Sequence, residues 1–156
     1  MSIIEQVQRV NDERKIAMAS RIEGAVGGSV RGKTVAILGV TFKPNTDDMR
    51  DAPSLLIVPM LQERGATVRA FDPQGRKHGA ALLPGVVWCE SALDAANGAD
   101  ILVIVTEWNE FRALDLKQAK KGMRGSVLVD LRNVFPAQLA EDAGFKYLGV
   151  GRGQAE

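Results

Sequence analysis

The residues with most scope for chemistry crowd into "GVTFKPNTDDMRDAPS", residues 39–54, where Lys43 and Arg50 stand among Asp47, Asp48 and Asp51. A third cation, Arg132, follows an aspartate in "VDLRN". A lysine offers a point charge and an arginine a planar fork, and phosphate recognition commonly uses both. Charged hydrogen bonds are worth about 1.5–3 kcal/mol each, so three such groups suffice to hold a diphosphate. A second reading needs no ligand: Lys43 and Arg50 neutralise the three aspartates as a surface cluster, and Arg132 forms a structural ion pair with Asp130. Both remain open from these residues alone.

Other reactive types are sparse. The single cysteine, Cys89, excludes an internal disulfide and a cysteine cage for zinc. Nothing near it in "VVWCES" would activate a thiolate, so it reads as a small half-buried residue at a strand end. The lone histidine, His78, sits in the basic stretch "GRKHGA" and reads as exposed. Neither a catalytic residue nor a metal site is expected in this chain. Asp72, in "FDP", stands where an acidic residue would meet a ribose after a second strand, yet Asp-Pro also opens turns, and the turn is the preferred reading. Trp108 and Phe111 in "TEWNEFRALD" have the spacing of core-filling aromatics. The "GVGRG" of 149–153 has no helix after it and reads as tail.

These groups need a scaffold to position them. A chain of 156 residues suits one domain. With 20 basic against 19 acidic residues, no global field exists to capture nucleic acid or an anionic membrane, so any anion site must be local. No apolar run approaches the length of a membrane span, and the N-terminus alternates charged and apolar residues where a signal peptide has an unbroken apolar core. A cytoplasmic protein is expected.

Five apolar runs read as strands: "TVAILGV" (34–40), "TVRAFD" (67–72), "VVW" (86–88), "DILVIVT" (100–106) and "SVLVDL" (126–131). Several are apolar on both faces, and helical segments near 53–64, 91–97, 115–122 and 136–143 separate them. Gly65 and Gly144 each sit between a helix and a strand, as C-caps do. Pro53 suits a first turn, whereas Pro59 should kink or shorten its helix. Ahead of these, Ile3, Val7, Val10, Met18, Ile22 and Val26 describe one apolar stripe of a helix over 3–26. Ser2 and Glu5 have capping-box spacing, although Met1-Ser2 equally reads as a break within a longer helix. The expectation is an α/β domain: a Rossmann-like doubly wound parallel sheet with helices on both faces, preceded by a connecting helix. Ligands of such sheets bind beyond the carboxyl ends of the strands, near the point where strand order reverses. Lys43, Arg50 and Arg132 all fall at those ends, but no glycine-rich turn follows the first strand.

Four blocks, "GKTVAILGVTFKPNTDDMRDAPS", "RGATVRAFDP", "GADILVIVTEWNEFRALD" and "VLVDLRNVF", resemble in this order the C-terminal, UDP-binding domain of bacterial UDP-glucose 6-dehydrogenases, in the UDP-glucose/GDP-mannose dehydrogenase family. The resemblance runs from about Val10 to Gly151, and "VNDERKIAMASRI" is similar to the end of the helical region that joins this domain to the central dimerisation helices. It implies a division into a connecting helix, 1–28, and the UDP-binding domain, 29–156. It further implies part of an oxidoreductase that converts UDP-glucose to UDP-glucuronate with two NAD per turnover. In that family the NAD-binding domain and the catalytic cysteine, lysine and aspartate lie upstream of the part seen here. Neither a G-x-G-x-x-G nor a G-F-G-G-x-C-like segment occurs, so Cys89 does not inherit the nucleophile's role and the chain alone is expected to be inactive.

By the same resemblance, Phe42 and Lys43 match the family's Phe-Lys pair at the nucleotide sugar. Arg50 closes its T-D-D-x-R block and reaches the cofactor. Arg132 matches the arginine of its D-G-R segment, with Leu131 where many members have glycine. The implied partners are UDP-glucose or a related nucleotide sugar, the N-terminal and central domains, and a second subunit in a homodimer or larger assembly; neither nucleic acid nor membrane is among them. GDP-mannose and UDP-N-acetylmannosamine are the alternative substrates. A free-standing flavodoxin-like module, such as a phosphorylation receiver, is a further reading, although "DILVIVT" ends in Thr where a receiver needs an aspartate. The last alternative is a homodimerising scaffold built on residues 3–26.

Overall fold

Branched apolar residues dominate the strands, and the computed structural model, which describes residues 2–150, gives them a six-stranded, wholly parallel sheet. The strands are β1 Thr34–Leu38, β2 Thr67–Phe71, β3 Val87–Trp88, β4 Ile101–Ile104, β5 Val127–Asp130 and β6 Lys146–Gly149, in the spatial order β3-β2-β1-β4-β5-β6. Seven helices connect and flank them: α1 Ile3–Ala25, α2 Ser54–Glu63, α3 Arg76–Leu82, α4 Ala92–Ala96, α5 Asn109–Arg112, α6 Leu116–Gly122 and α7 Ala137–Asp142.

Alternate residues of each strand serve opposite faces. Val35 and Ile37 of β1, with Ile101 and Val103 of β4, pack against Ile22 and Ala25 of α1 and Ile57, Val58 and Leu61 of α2. Ala36 and Leu38, with Leu102 and Ile104, face Ala95 of α4, Phe111 of α5, Ala119 of α6 and Ala140 of α7. Both faces of β1 and β4 are buried, which is why those two strands carry no polar alternation, whereas β2 alternates. Each fully buried Ile or Leu contributes about 1.5–3 kcal/mol over an exposed one, and the two layers share the sheet between them.

The chain winds outward from β1 through β2 to β3, then returns to lay β4 on the other flank of β1, in register from Val35 opposite Ile101 to Leu38 opposite Ile104. The order reverses between β1 and β4, and the crevice beyond their carboxyl ends is the place where such sheets take ligands.

Several sequence expectations need correction. α2 runs unbroken through Pro59, because Ile57, Val58 and Leu61 are fully buried against the sheet and that burial outweighs one missing hydrogen bond. The apolar stripe of α1 is buried only in its last turns, at Ala19, Ile22 and Ala25; Ile3, Ile4, Val7 and Val10 are exposed. α3 and α5 were not expected as elements, whereas the strand expected after Gly144 is present as β6. Ser2 caps α1 as its spacing suggests, its Oγ accepting from Glu5 N at 3.0 Å. Of the "GVGRG" tail, Gly149 closes β6, and residues 151–153 lie outside the described residues. Among the described residues no helix is long and apolar enough to cross a membrane.

Candidate functional site

The site is built on the first turn after β1. Gly39 adopts φ 90°, and a Cβ there would stand 2.5 Å from Thr106 Cβ, so only glycine lets the β1 and β4 ends cross at contact. The next two residues are held by side chains from three other elements. Asp72, after β2, accepts at Oδ2 from Val40 N (2.7 Å), Thr41 N (3.2 Å), Thr41 Oγ1 (3.2 Å) and Trp108 Nε1 (3.3 Å). Thr106, after β4, donates its hydroxyl to Thr41 O at 2.7 Å, and Ser54, opening α2, donates to Val40 O at 2.5 Å. The expected Asp-Pro turn is present too, with Asp72 Oδ1 accepting from Gln74 N and Gly75 N at 2.9 and 2.7 Å.

Beyond Thr41 the chain swings out to solvent. Phe42 is 44% exposed and Lys43 is exposed, while Phe42 N donates to Asp48 O at 2.9 Å to close the loop. Asn45 and Asp51 take left-handed conformations, φ 65° and 56°, that such short polar side chains tolerate. Arg50 is gripped by its neighbour Asp48, whose Oδ1 accepts from Arg50 N (2.9 Å) and Nε (3.1 Å) and whose Oδ2 accepts from Nη2 (3.1 Å). That guanidinium pulls the Asp48 carboxyl down to about 2, and the Arg50 pKa is raised in return. Asp47 turns instead to α3, its Oδ2 lying 3.7 Å from Nδ1 of the half-exposed His78. The surface-cluster reading therefore describes Arg50 directly; Lys43 acts on Asp48 only through its charge and makes no ion pair among the described residues.

Arg132 also departs from the structural pairing. Its Nε donates to Val105 O at 2.8 Å, so the side chain lies across the end of β4. Asp130 is fully buried and accepts from Phe135 N and Tyr147 OH, both at 2.9 Å on Oδ2, and from Arg132 N on Oδ1 at 3.2 Å. Its carboxylate is satisfied inside the core, and no ion pair with the Arg132 guanidinium forms. Asn133, at φ 52°, clamps Val150 through both amide atoms, at 2.8 and 2.9 Å, and so anchors the end of β6.

Lys43 and Arg132 thus leave the same sheet edge from β1 and β5, with β4 between them. Two strand spacings separate those strands, about 10 Å. Phe42 and Arg50 part company. Phe42 lines a recess of about 360 Å³ shared with Asn11, Arg14 and Lys15 of α1 and with Asp51 and Pro53. Arg50 lines another, of about 760 Å³, with Asp47, Asp48, His78 and Leu82. Sequence reasoning missed the polar face of α1; its signal was the spacing of Gln8, Asn11, Lys15 and Met18, by three, four and three residues.

The remaining candidates are structural. Cys89 is buried beyond β3, and that burial pushes its thiol pKa up, away from thiolate chemistry. Trp108 and Phe111 are core residues, as their spacing suggests, and Phe111 meets Phe71 edge-on at 6.2 Å and 68°. Among the described residues no three His, Cys, Asp or Glu side chains are grouped to hold a metal.

Known proteins with this sequence and shape carry nucleotide-sugar dehydrogenase names. Residues 36–137 match the profile of the UDP-glucose/GDP-mannose dehydrogenase family, UDP binding domain. A UDP-glucose 6-dehydrogenase of Rhizobium meliloti is 46% identical over 150 residues, which span 96% of this chain and 34% of that protein. Among solved structures, a UDP-glucose dehydrogenase from Pyrobaculum islandicum aligns with a TM-score of 0.74 at 31% identity, over 93% of this chain and 31% of that one. An NDP-N-acetyl-D-galactosaminuronic acid dehydrogenase from Methanosarcina mazei aligns with a TM-score of 0.82 at 28% identity, over 97% and 32%. The chain spans about a third of the length of the relatives it matches.

Proposed function

The chain belongs to the UDP-glucose/GDP-mannose dehydrogenase family, whose UDP binding domain it carries, and from that premise we propose that it is the nucleotide-sugar-binding C-terminal portion of an NAD-dependent UDP-glucose 6-dehydrogenase. One observation carries the reading: Lys43 and Arg132, leaving the carboxyl edge of the sheet on either side of β4, form no ion pair among the described residues. In this proposal the two grip the diphosphate, and Phe42 packs against the sugar nucleotide.

NAD would supply the hydride acceptor, bound mainly by an N-terminal domain. This chain's own switch point does not suit a dinucleotide, because the amides of Val40 and Thr41 already donate to Asp72 and no glycine-rich turn brings others forward. Arg50, 90% exposed, would reach a cofactor held elsewhere once it leaves Asp48. The contribution of this portion is then substrate holding: binding energy spent on the nucleotide positions the distant sugar carbon for hydride transfer. By itself it turns nothing over. We place the whole protein in the cytoplasm as a homodimer or larger assembly.

Calorimetric titration of UDP-glucose, UDP, GDP and NAD into the chain tests this. Uridine nucleotides should bind, GDP and NAD should bind less well, and Lys43→Ala and Arg132→Ala should each weaken UDP. A preference for GDP would favour GDP-mannose as the substrate. Unchanged UDP binding in both variants would sink the site assignment.

A further inference from the structure

In a doubly wound sheet that binds a dinucleotide, the first backbone amides after β1 point at the ligand's phosphates. Here the same amides, Val40 N and Thr41 N, point at the carboxylate of Asp72, at 2.7 and 3.2 Å. We propose that Asp72 is an internal anion standing where this topology usually places a ligand's phosphate, and that through Thr41 it positions Lys43 in the nucleotide-sugar site.

The carboxylate is 5% exposed and takes six donors: Val40 N, Thr41 N, Thr41 Oγ1 and Trp108 Nε1 on Oδ2, Gln74 N and Gly75 N on Oδ1. No lysine or arginine pairs with it among the described residues, so its charge is balanced by aligned N–H and O–H dipoles alone, as a bound phosphate's would be. Space confirms the seat is built closely: a Cβ on Gly75 would lie 2.8 Å from Val40 Cγ2 and 3.0 Å from Asp72 Cγ. Val40 and Thr41 have every backbone polar group paired. Asp72 takes both of their N–H groups, Ser54 and Thr106 satisfy both carbonyls, and no polar backbone atom of either residue is left free to choose another partner. The Thr41 hydroxyl then stands between two acceptors, 3.2 Å from Asp72 Oδ2 and 3.1 Å from the Lys43 carbonyl oxygen, and its single hydrogen is shared between them. One side chain therefore links the internal anion to the residue proposed to hold the external one. Glycine-rich turns hold phosphate by yielding their amides; this turn gives its amides to Asp72 and leaves phosphate to Lys43.

Asp72→Asn is the sharpest probe, because it keeps the shape and removes the charge. Whichever way the new amide turns, its NH₂ group confronts donors on one side. The matched control is Asp100→Asn at the opposite edge of the sheet, where the carboxylate also accepts only from donors, Thr34 N and the Arg124 guanidinium. Amide hydrogen exchange of the free protein decides the first half of the proposal without any ligand. Asp72→Asn should speed exchange over residues 39–54 about tenfold or more while the β1 and β4 cores stay protected. Asp100→Asn should leave 39–54 unchanged. Unaltered exchange over 39–54 in Asp72→Asn, or faster exchange across the whole sheet in step with it, overturns the proposal.

The second half rests on the nucleotide-sugar reading. UDP affinity should fall about tenfold in Asp72→Asn and several-fold in Thr41→Val, with recovery in Thr41→Ser, which restores the hydroxyl; Asp100→Asn should bind as the parent does. Loss in Thr41→Val with no recovery in Thr41→Ser points to packing and overturns the relay to Lys43. A parent chain that binds no uridine nucleotide counts against the proposed function, and the exchange measurement still decides the role of Asp72.

Discussion

The two ends of the sheet treat charge in opposite ways. At the amino edge, where β4 and β5 begin, Asp100 receives Arg124 as a fork, Nε to Oδ1 at 3.0 Å and Nη2 to Oδ2 at 2.8 Å, and also caps Thr34 N. Arg124 holds the Asp100 carboxyl below its usual range, and each charge cancels the other. At the carboxyl edge the buried carboxylates and two exposed cations are kept apart. Asp72 and Asp130 are buried and satisfied by N–H and O–H dipoles, while Lys43 and Arg132 form no ion pair among the described residues. A cluster of like charge that the fold has kept from neutralising itself is what a site for an anionic ligand looks like before the ligand arrives.

If that contrast is real, the carboxyl-edge carboxylates hold the fold and the carboxyl-edge cations do not. The largest effect should come from Asp130→Asn, which sets an NH₂ group against Phe135 N, Tyr147 OH or Arg132 N inside the core and should cost about 2–3 kcal/mol in urea unfolding. Arg132→Ala should cost well under that. Equal losses in the two would mean that Arg132 is structural and the segregation is accidental.

Next in size is the effect on ligand. Lys43→Ala and Arg132→Ala should each lose about tenfold in UDP affinity, as removal of one charged hydrogen bond requires, with melting temperatures close to the parent's. Calorimetry and thermal unfolding of the same samples separate the two. At the amino edge Arg124→Ala should do the reverse on a smaller scale. Its side chain is 62% exposed, so a small stability loss at low salt, shrinking as salt rises, is expected, with UDP affinity untouched.

How much of this contrast the sequence disclosed depends on the range of the interaction. The β1, β4 and β5 runs announced themselves because both faces are apolar, and their carboxyl ends followed from the order of elements. β6, "KYLG", is four residues long and opens on a lysine, so only the C-cap position of Gly144 pointed to it; α3, "RKHGAAL", hid behind its glycine and its basic start. The three cations were legible by type and place. Their partners were not. Three aspartates lie within four residues of Lys43 and Arg50 or between them, and the order of residues does not say which of them takes Arg50; the folded loop gives it to Asp48. Asp72 was readable as a turn because Gln74 and Gly75 are its sequence neighbours; its hold on Thr41 and Trp108 spans 31 and 36 residues and exists only once β1, β2 and β4 are aligned. Likewise Asp130 shares the face of Leu128 in β5 and so points into the core toward Phe135 and Tyr147, which adjacency to Arg132 concealed.

Arg50, like Arg76 with Glu90, is a cation at the carboxyl edge that has a carboxylate, and its smaller effect sharpens the comparison. The Asp48 pKa is lowered from 3.8 to about 2 by the Arg50 hydrogen bonds. A folded value below the unfolded one means that the stabilisation is present above about pH 4 and is lost as pH falls through about 2. An NMR titration of the Asp48 carboxyl should therefore show a midpoint near 2 in the parent. In Arg50→Ala the midpoint should return toward 3.8, and the stability difference between parent and variant should vanish below pH 2. Saturating UDP should leave the parent midpoint where it is, because Arg50 opens toward His78 and Leu82 and away from the Phe42 recess. A UDP-driven rise in the Asp48 midpoint that persists in Lys43→Ala would mean that the nucleotide draws Arg50 off its aspartate, and the carboxyl edge would then hold three working cations instead of two.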